Sequence, residues 1–102
     1  MSTVAVELAR RQWEQGSRRF DEEARADPRL LAALETVVDE LRRRVGQTYS
    51  LDDLAAAYDR AEDWVRTAIA DFAPFPGWPR SLTTILDAAF HLYSRGATDY
   101  RP

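Results

Sequence analysis

Asp87 and His91 are the residues whose type and spacing bear most directly on chemistry. His91 is the only histidine of the chain and lies four residues after Asp87, so a helix would place both side chains on one face. A carboxylate that orients an imidazole is half of a general acid–base arrangement, and Tyr93 follows two residues later. No Gly-x-Ser-x-Gly nucleophile motif accompanies them. We therefore expect no catalytic residue. The alternative is a small enzyme or ligand-binding pocket that uses Asp87, His91 and Tyr93.

The remaining composition excludes several classes of site. With one histidine and no cysteine, the chain has neither a multi-histidine metal site nor a thiolate ligand or nucleophile. All 14 basic residues are arginine, so no lysine is present to form a Schiff base or to bind phosphate in a P-loop. The sequence predicts that the protein uses no metal and no cofactor.

One loop has unusual content. Residues 74–80 read Pro-Phe-Pro-Gly-Trp-Pro-Arg, and three prolines with a glycine exclude a regular helix there. The aromatic rings of Phe75 and Trp78 have two alternative roles. They either fold back over the end of the molecule, which we expect, or they bind a partner together with Arg80.

The elements that position these residues are predicted to be helical. Val6, Ala9, Trp13, Gly16 and Phe20 recur at helical spacing and predict a helix over 3–25. A second helix over 28–45 begins at an Asp-Pro start signal and ends with three arginines before a glycine. Its inner stripe consists of Leu30, Leu34, Val37, Leu41 and Val45, broadened by Leu31 and Val38.

Two further helices complete the pattern. Ser50 with Asp53 predicts a capped start for a helix over 51–73, which Pro74 would end. The last helix is expected over 81–95, between Ser81 and Gly96. We predict a single all-α domain, 1–102, folded as an up-and-down bundle. Its core is expected to include Trp13, Phe20, Leu34, Leu41, Tyr58, Val65 and Leu86.

DNA binding is an alternative function that the sequence suggests. Residues 54–66 loosely match a helix-turn-helix regulator, with a turn at Asp59 and Arg60. The supposed recognition helix would open with Glu62 and Asp63, whose charges repel phosphate, and the net charge of the chain is −3. Nucleic acid is therefore an unfavoured partner.

These exclusions leave an interaction protein as the leading hypothesis. Three Trp, four Tyr and four Phe are a generous apolar inventory for 102 residues. We predict a non-catalytic helical module, an adaptor or small subunit, that binds a partner protein or itself. The absence of Lys and Asn favours a GC-rich bacterial source. The lack of a signal peptide or a long apolar segment favours the cytoplasm and no membrane association.

Overall fold

The protein is all-α. The computed structural model describes residues 4–23, 27–46, 48–70 and 82–95. These residues form four helices and no strand: α1 (Val4–Glu23), α2 (Pro28–Val45), α3 (Leu51–Ala68) and α4 (Leu82–Ser94). Among them, no helix combines the length and apolar character needed to cross a membrane.

The boundaries of α2 follow its sequence signals. The side chain of Asp27 accepts a hydrogen bond from the backbone N–H of Arg29, and Pro28 occupies the first turn. At the other end Gly46 has a φ of 91°, and its N–H donates to the carbonyl of Arg42. The predicted range 28–45 is therefore confirmed.

Helix α3 begins as predicted and ends earlier. Ser50 and Asp53 form a reciprocal capping box, each side chain accepting from the other's backbone N–H. The helix ends at Ala68, before the predicted residue 73. The N–H of Ala70 donates to the carbonyl of Thr67, three residues back, so the chain tightens into a turn there, next to the buried side chain of Ile69.

The four helices alternate in direction, and α4 lies among the other three. Tyr49, just before α3, contacts Tyr93 near the end of α4, whereas Tyr58 contacts Asp87 nearer its start, so α3 and α4 are antiparallel. Tyr93 also bonds to Gly46, which places the C-terminal ends of α2 and α4 together. The short connections predict adjacent neighbours, but within the described residues no Cα atom of α1 lies within 8 Å of a Cα atom of α2. Helix α4 separates them and packs against both.

The burial pattern explains the central place of α4. Residues 84–90 are all buried, which means that this helix needs cover on nearly every side. The predicted core is confirmed for six of its seven side chains, and Tyr58 is only partly buried. Leu31, expected to broaden the inner stripe of α2, is instead exposed, because α1 does not reach across to cover it. The buried predicted residues are Trp13, Phe20, Leu34, Leu41, Val65 and Leu86.

Two leucines of α2 test this assignment of faces. Leu41 is 0% exposed and Leu31 is 36% exposed, so the same truncation removes very different amounts of packing. Leu41→Ala is expected to lower the free energy of unfolding by about 2–5 kcal/mol because it leaves a cavity. Leu31→Ala should cost about 1 kcal/mol or less. Urea denaturation measures both, and equal losses would contradict the packing described.

Candidate functional site

Two cavities flank α4, and they separate the predicted pair of Asp87 and His91. Asp87 lines a polar cleft between α1, α3 and α4, whereas His91 lines a groove between α1, α2 and α4. Helix α1 lies between the two cavities, because Gly16 faces the cleft and Ser17 faces the groove. The four-residue spacing therefore does not bring the imidazole and the carboxylate into one site.

The polar cleft has a volume of 480 Å³ and is centred on a hydrogen bond between two helices. The Tyr58 hydroxyl of α3 donates to Asp87 Oδ1 of α4 over 2.6 Å. The ring of Tyr58 is held edge-on to Trp13 and Phe90, with centroid distances of 5.4 and 5.2 Å. Packing thus fixes the direction in which the hydroxyl points.

Gly16 allows Asp87 to lie where it does. A Cβ atom built on Gly16 would be 2.1 Å from Asp87 Oδ2, far inside van der Waals contact. Asp87 is 8% exposed, so its carboxylate lies against the backbone of α1 rather than in solvent. The glycine was placed on the core face from its spacing, but spacing alone gave no sign of the carboxylate that requires it.

Burial changes the acidity of both partners. Loss of water raises the pKa of Asp87 from 3.8 to about 6, and the nearby charge of Glu62 adds to the increase. The Tyr58 hydrogen bond and the charge of Arg19 act in the opposite direction. Burial also raises the pKa of Tyr58, and its hydrogen bond to Asp87 raises it further, so the phenol stays protonated and donates.

The cleft can exchange a proton but offers little else for catalysis. A carboxyl with a pKa near 6 suits general acid–base work close to neutral pH. The described lining of the cleft contains no serine, threonine, cysteine or histidine that this carboxyl could activate as a nucleophile. The lining residues are Gln12, Gln15, Gly16, Arg19, Tyr58, Asp59, Glu62, Asp63, Leu86 and Asp87.

The groove has a volume of 630 Å³ and lies where α1 and α2 fail to meet. Leu31 of α2 and Leu92 of α4 are 36% and 46% exposed, and both line it. Buried or partly buried apolar side chains continue this surface inward, and charged residues surround it. Its apolar lining comprises Phe20, Leu31, Leu34, Val38, Ala88 and Leu92.

His91 lies on the floor of the groove. Its Nδ1 atom is buried and has no hydrogen-bond partner. Its ring is partly exposed toward the groove and makes no hydrogen bond to Asp87. The structure therefore places His91 in a groove lined by both apolar and polar side chains rather than in a catalytic pair.

Tyr93 has a structural position. Its hydroxyl donates to the carbonyl of Gly46, and its backbone carbonyl accepts from the hydroxyl of Tyr49. The two rings stack with centroids 4.8 Å apart. These contacts attach the connection between α2 and α3 to the end of α4. No sequence pattern indicates a role for Tyr49, because this residue lies outside every periodic stripe.

Two further features of the sequence can be compared with the structure, and a third lies outside the described residues. Helix α3 is continuous through Asp59 and Arg60, so the helix-turn-helix with a turn there is not formed. The arginine run pairs with acids one turn earlier, as Arg42 does with Asp39 at 2.8 Å and Arg44 with Glu40 at 3.1 Å. The loop candidates Phe75, Trp78 and Arg80 lie outside the described residues, and their role stays a prediction.

Comparisons with known proteins supply no relative. No family model, curated protein or solved structure matches the chain. Within the described residues, no group of histidine, aspartate or glutamate side chains could hold a metal ion. The cleft and the groove are therefore the two candidate sites.

The contact between Gly16 and Asp87 predicts an unusual response to alanine. Gly16→Ala would normally stabilise a helix interior by up to about 1 kcal/mol. Here the new methyl group would overlap the carboxylate, so we expect the free energy of unfolding to fall by about 1–3 kcal/mol. Gln15→Ala, on an exposed position of α1, is the control and should change stability little. In an Asp87→Ala background the penalty should disappear, and its persistence there would contradict the close contact.

The pKa of Asp87 predicts how stability depends on pH. The folded state holds this proton up to about pH 6 and the unfolded state only to about 3.8, so the proton stabilises the fold at low pH. That contribution, at most about 3 kcal/mol, is lost as pH rises from 4 to above 6. Asp87→Asn keeps an acceptor for Tyr58 without the charge.

Comparing Asp87→Asn with the unchanged protein separates the effect of the Asp87 proton on stability from the effects of the other carboxylates. Across pH 4 to 8, denaturant unfolding should show the variant gaining about 1–3 kcal/mol relative to the unchanged protein. Asp63→Asn, an exposed acid of the same cleft, should run parallel to the unchanged protein. A constant difference between Asp87→Asn and the unchanged protein would contradict the raised pKa.

Proposed function

We propose that the protein is a non-catalytic interaction module that binds a partner protein through the groove between α1 and α2. The observation that carries this proposal is the gap between those helices. There the side chains of Leu31 and Leu92 are exposed in a groove that buried apolar side chains, such as Leu34, also line. Apolar side chains that converge in a concave surface rimmed by charge are typical of protein-binding sites.

Competing functions have less support. Asp87 and His91 line different cavities, so an acid–base pair would need both to move. For nucleic acid, α3 lacks the required turn, and the arginines at the end of α2 are already paired with acids of the same helix. Arg44 also lies over the ring of Trp64, 4.8 Å from its centroid.

The groove also differs from the other exposed apolar surface of the described residues. Val4 and Leu8 are more exposed than Leu31 or Leu92, but they line neither cavity. Single exposed apolar side chains outside a cavity are ordinary on protein surfaces. This difference makes Leu8 a matched control for the groove.

The test compares three leucine substitutions in affinity purification from the native cell. Leu31→Gln and Leu92→Gln should each weaken association with a partner by about 2 kcal/mol, or roughly 30-fold in affinity, because they place an amide in the groove. Leu8→Gln should retain the same partner. Thermal melting first establishes that all three variants are folded. If every copurifying protein is recovered equally with the groove variants and with Leu8→Gln, the groove is not the binding surface.

A further inference from the structure

We infer that the occupant of the groove is one amphipathic α-helix of the partner, oriented with its N-terminus toward Asp21 and Glu35 and its C-terminus toward Arg42 and Arg95. This inference rests on the proposed function and names the partner's chemistry and direction. The groove is long enough for a short helix. From Leu31 to Arg42 the groove follows twelve residues of α2, about 16 Å or three helical turns.

The groove favours a helical segment over an extended one. The walls and floor of the groove belong to helices, whose interior N–H and carbonyl groups already bond within each helix. An extended segment would find no sheet edge there to pair with, and its own backbone groups would lose water without a partner. A helix satisfies its backbone internally and packs against neighbouring helices at axis separations of about 8–10 Å. A helical partner therefore leaves the fewest backbone groups without a hydrogen bond when it enters this groove.

The charges along the groove favour one direction of the bound helix. Asp21 is in the last turn of α1 and Glu35 is in the first half of α2, so both lie toward the end where these helices connect. Arg42 and Arg95 lie at the opposite end, since the bond from Tyr93 to Gly46 holds the C-terminal ends of α2 and α4 together. The charge at the groove rim thus changes sign along its length.

This reversal complements one orientation of a helix. The N-terminus of a helix carries a partial positive charge and its C-terminus a partial negative charge. The partner helix is therefore stabilised when it runs in the same direction as α2 and α4, with lysine or arginine in its first turn and acids in its last. Asp39 pairs with Arg42 at 2.8 Å, which leaves Arg95 as the stronger attraction at the basic end.

A display selection tests the inference without the natural partner. The probe is a random library of 16-residue peptides selected on the unchanged protein of residues 1–102, with the Leu31→Gln variant as the counter-target. Enriched peptides should carry large apolar residues at spacings of three and four, bases in the first turn and acids in the last. They should bind the unchanged protein at least tenfold more tightly than the Leu31→Gln variant.

A protein with altered groove charges supplies the matched control. A double variant, Glu35→Lys with Arg95→Glu, should bind the selected peptides at least tenfold more weakly and should no longer select bases in the first turn and acids in the last in a repeat experiment. Groove-dependent peptides without helical spacing or without charge order would overturn this inference and leave the proposed function standing. A failure to obtain any binder sensitive to Leu31→Gln would count against both.

Self-association is the remaining outcome. Sedimentation of the unchanged protein is expected to show a monomer at micromolar concentration. A dimer that Leu31→Gln dissociates would mean that a second copy occupies the groove, and the assignment to a partner helix would be wrong.

Discussion

The burial of α4 is the constraint on which the rest of the structure depends. Its residues 84–90 have no exposed face, so the other helices must pack around it rather than against one another in sequence order. Burial of its apolar side chains provides the main stabilisation, at about 25 cal/mol per Å² removed from water. Helix α4 can receive this cover only by lying between α1 and α2, which are joined by a short connection.

The same packing forces one carboxylate into the interior. Asp87 belongs to the buried stretch of α4, and the fold accommodates it with a glycine on α1 and a phenol on α3. A hydrogen bond from Tyr58 satisfies one oxygen but does not restore full hydration, and this shortfall raises the pKa. The cleft is thus a place where the fold tolerates a costly group. Costly groups of this kind are often retained for a role other than stability.

The groove is the other consequence of the central helix. Because α4 holds α1 and α2 apart, the side of α4 that carries Leu92 faces the groove. None of the other described helices covers Leu92 fully there. The apolar stripe of α2 is wider than the surface that α3 and α4 cover, so Leu31 remains exposed. In a bundle where α1 and α2 packed together, neither leucine would be accessible. The proposed interaction surface therefore follows from the order of packing and not from any local motif.

What the sequence determined by itself was local. Periodicity and caps predicted four helices, and the ends of α2 at Pro28 and Val45 were predicted correctly because Asp27 and Gly46 act through bonds within a few residues. The buried stripe of α1 was also evident, since spacing alone fixes which side chains share a face. The end of α3 was not, because a turn formed before the proline that would have stopped the helix.

Only the tertiary structure decided which faces meet. Asp87 and His91 share a helical face by spacing, yet α1 packs between them and assigns them to different cavities. Nothing in the order of residues shows that Gly16 would lie against Asp87, that Tyr58 would donate to it, or that Tyr49 would stack on Tyr93. Each of these contacts joins residues far apart in the chain. Their partners depend on which helix fills the centre, and that choice is made by the total apolar area buried rather than by any single residue's neighbours.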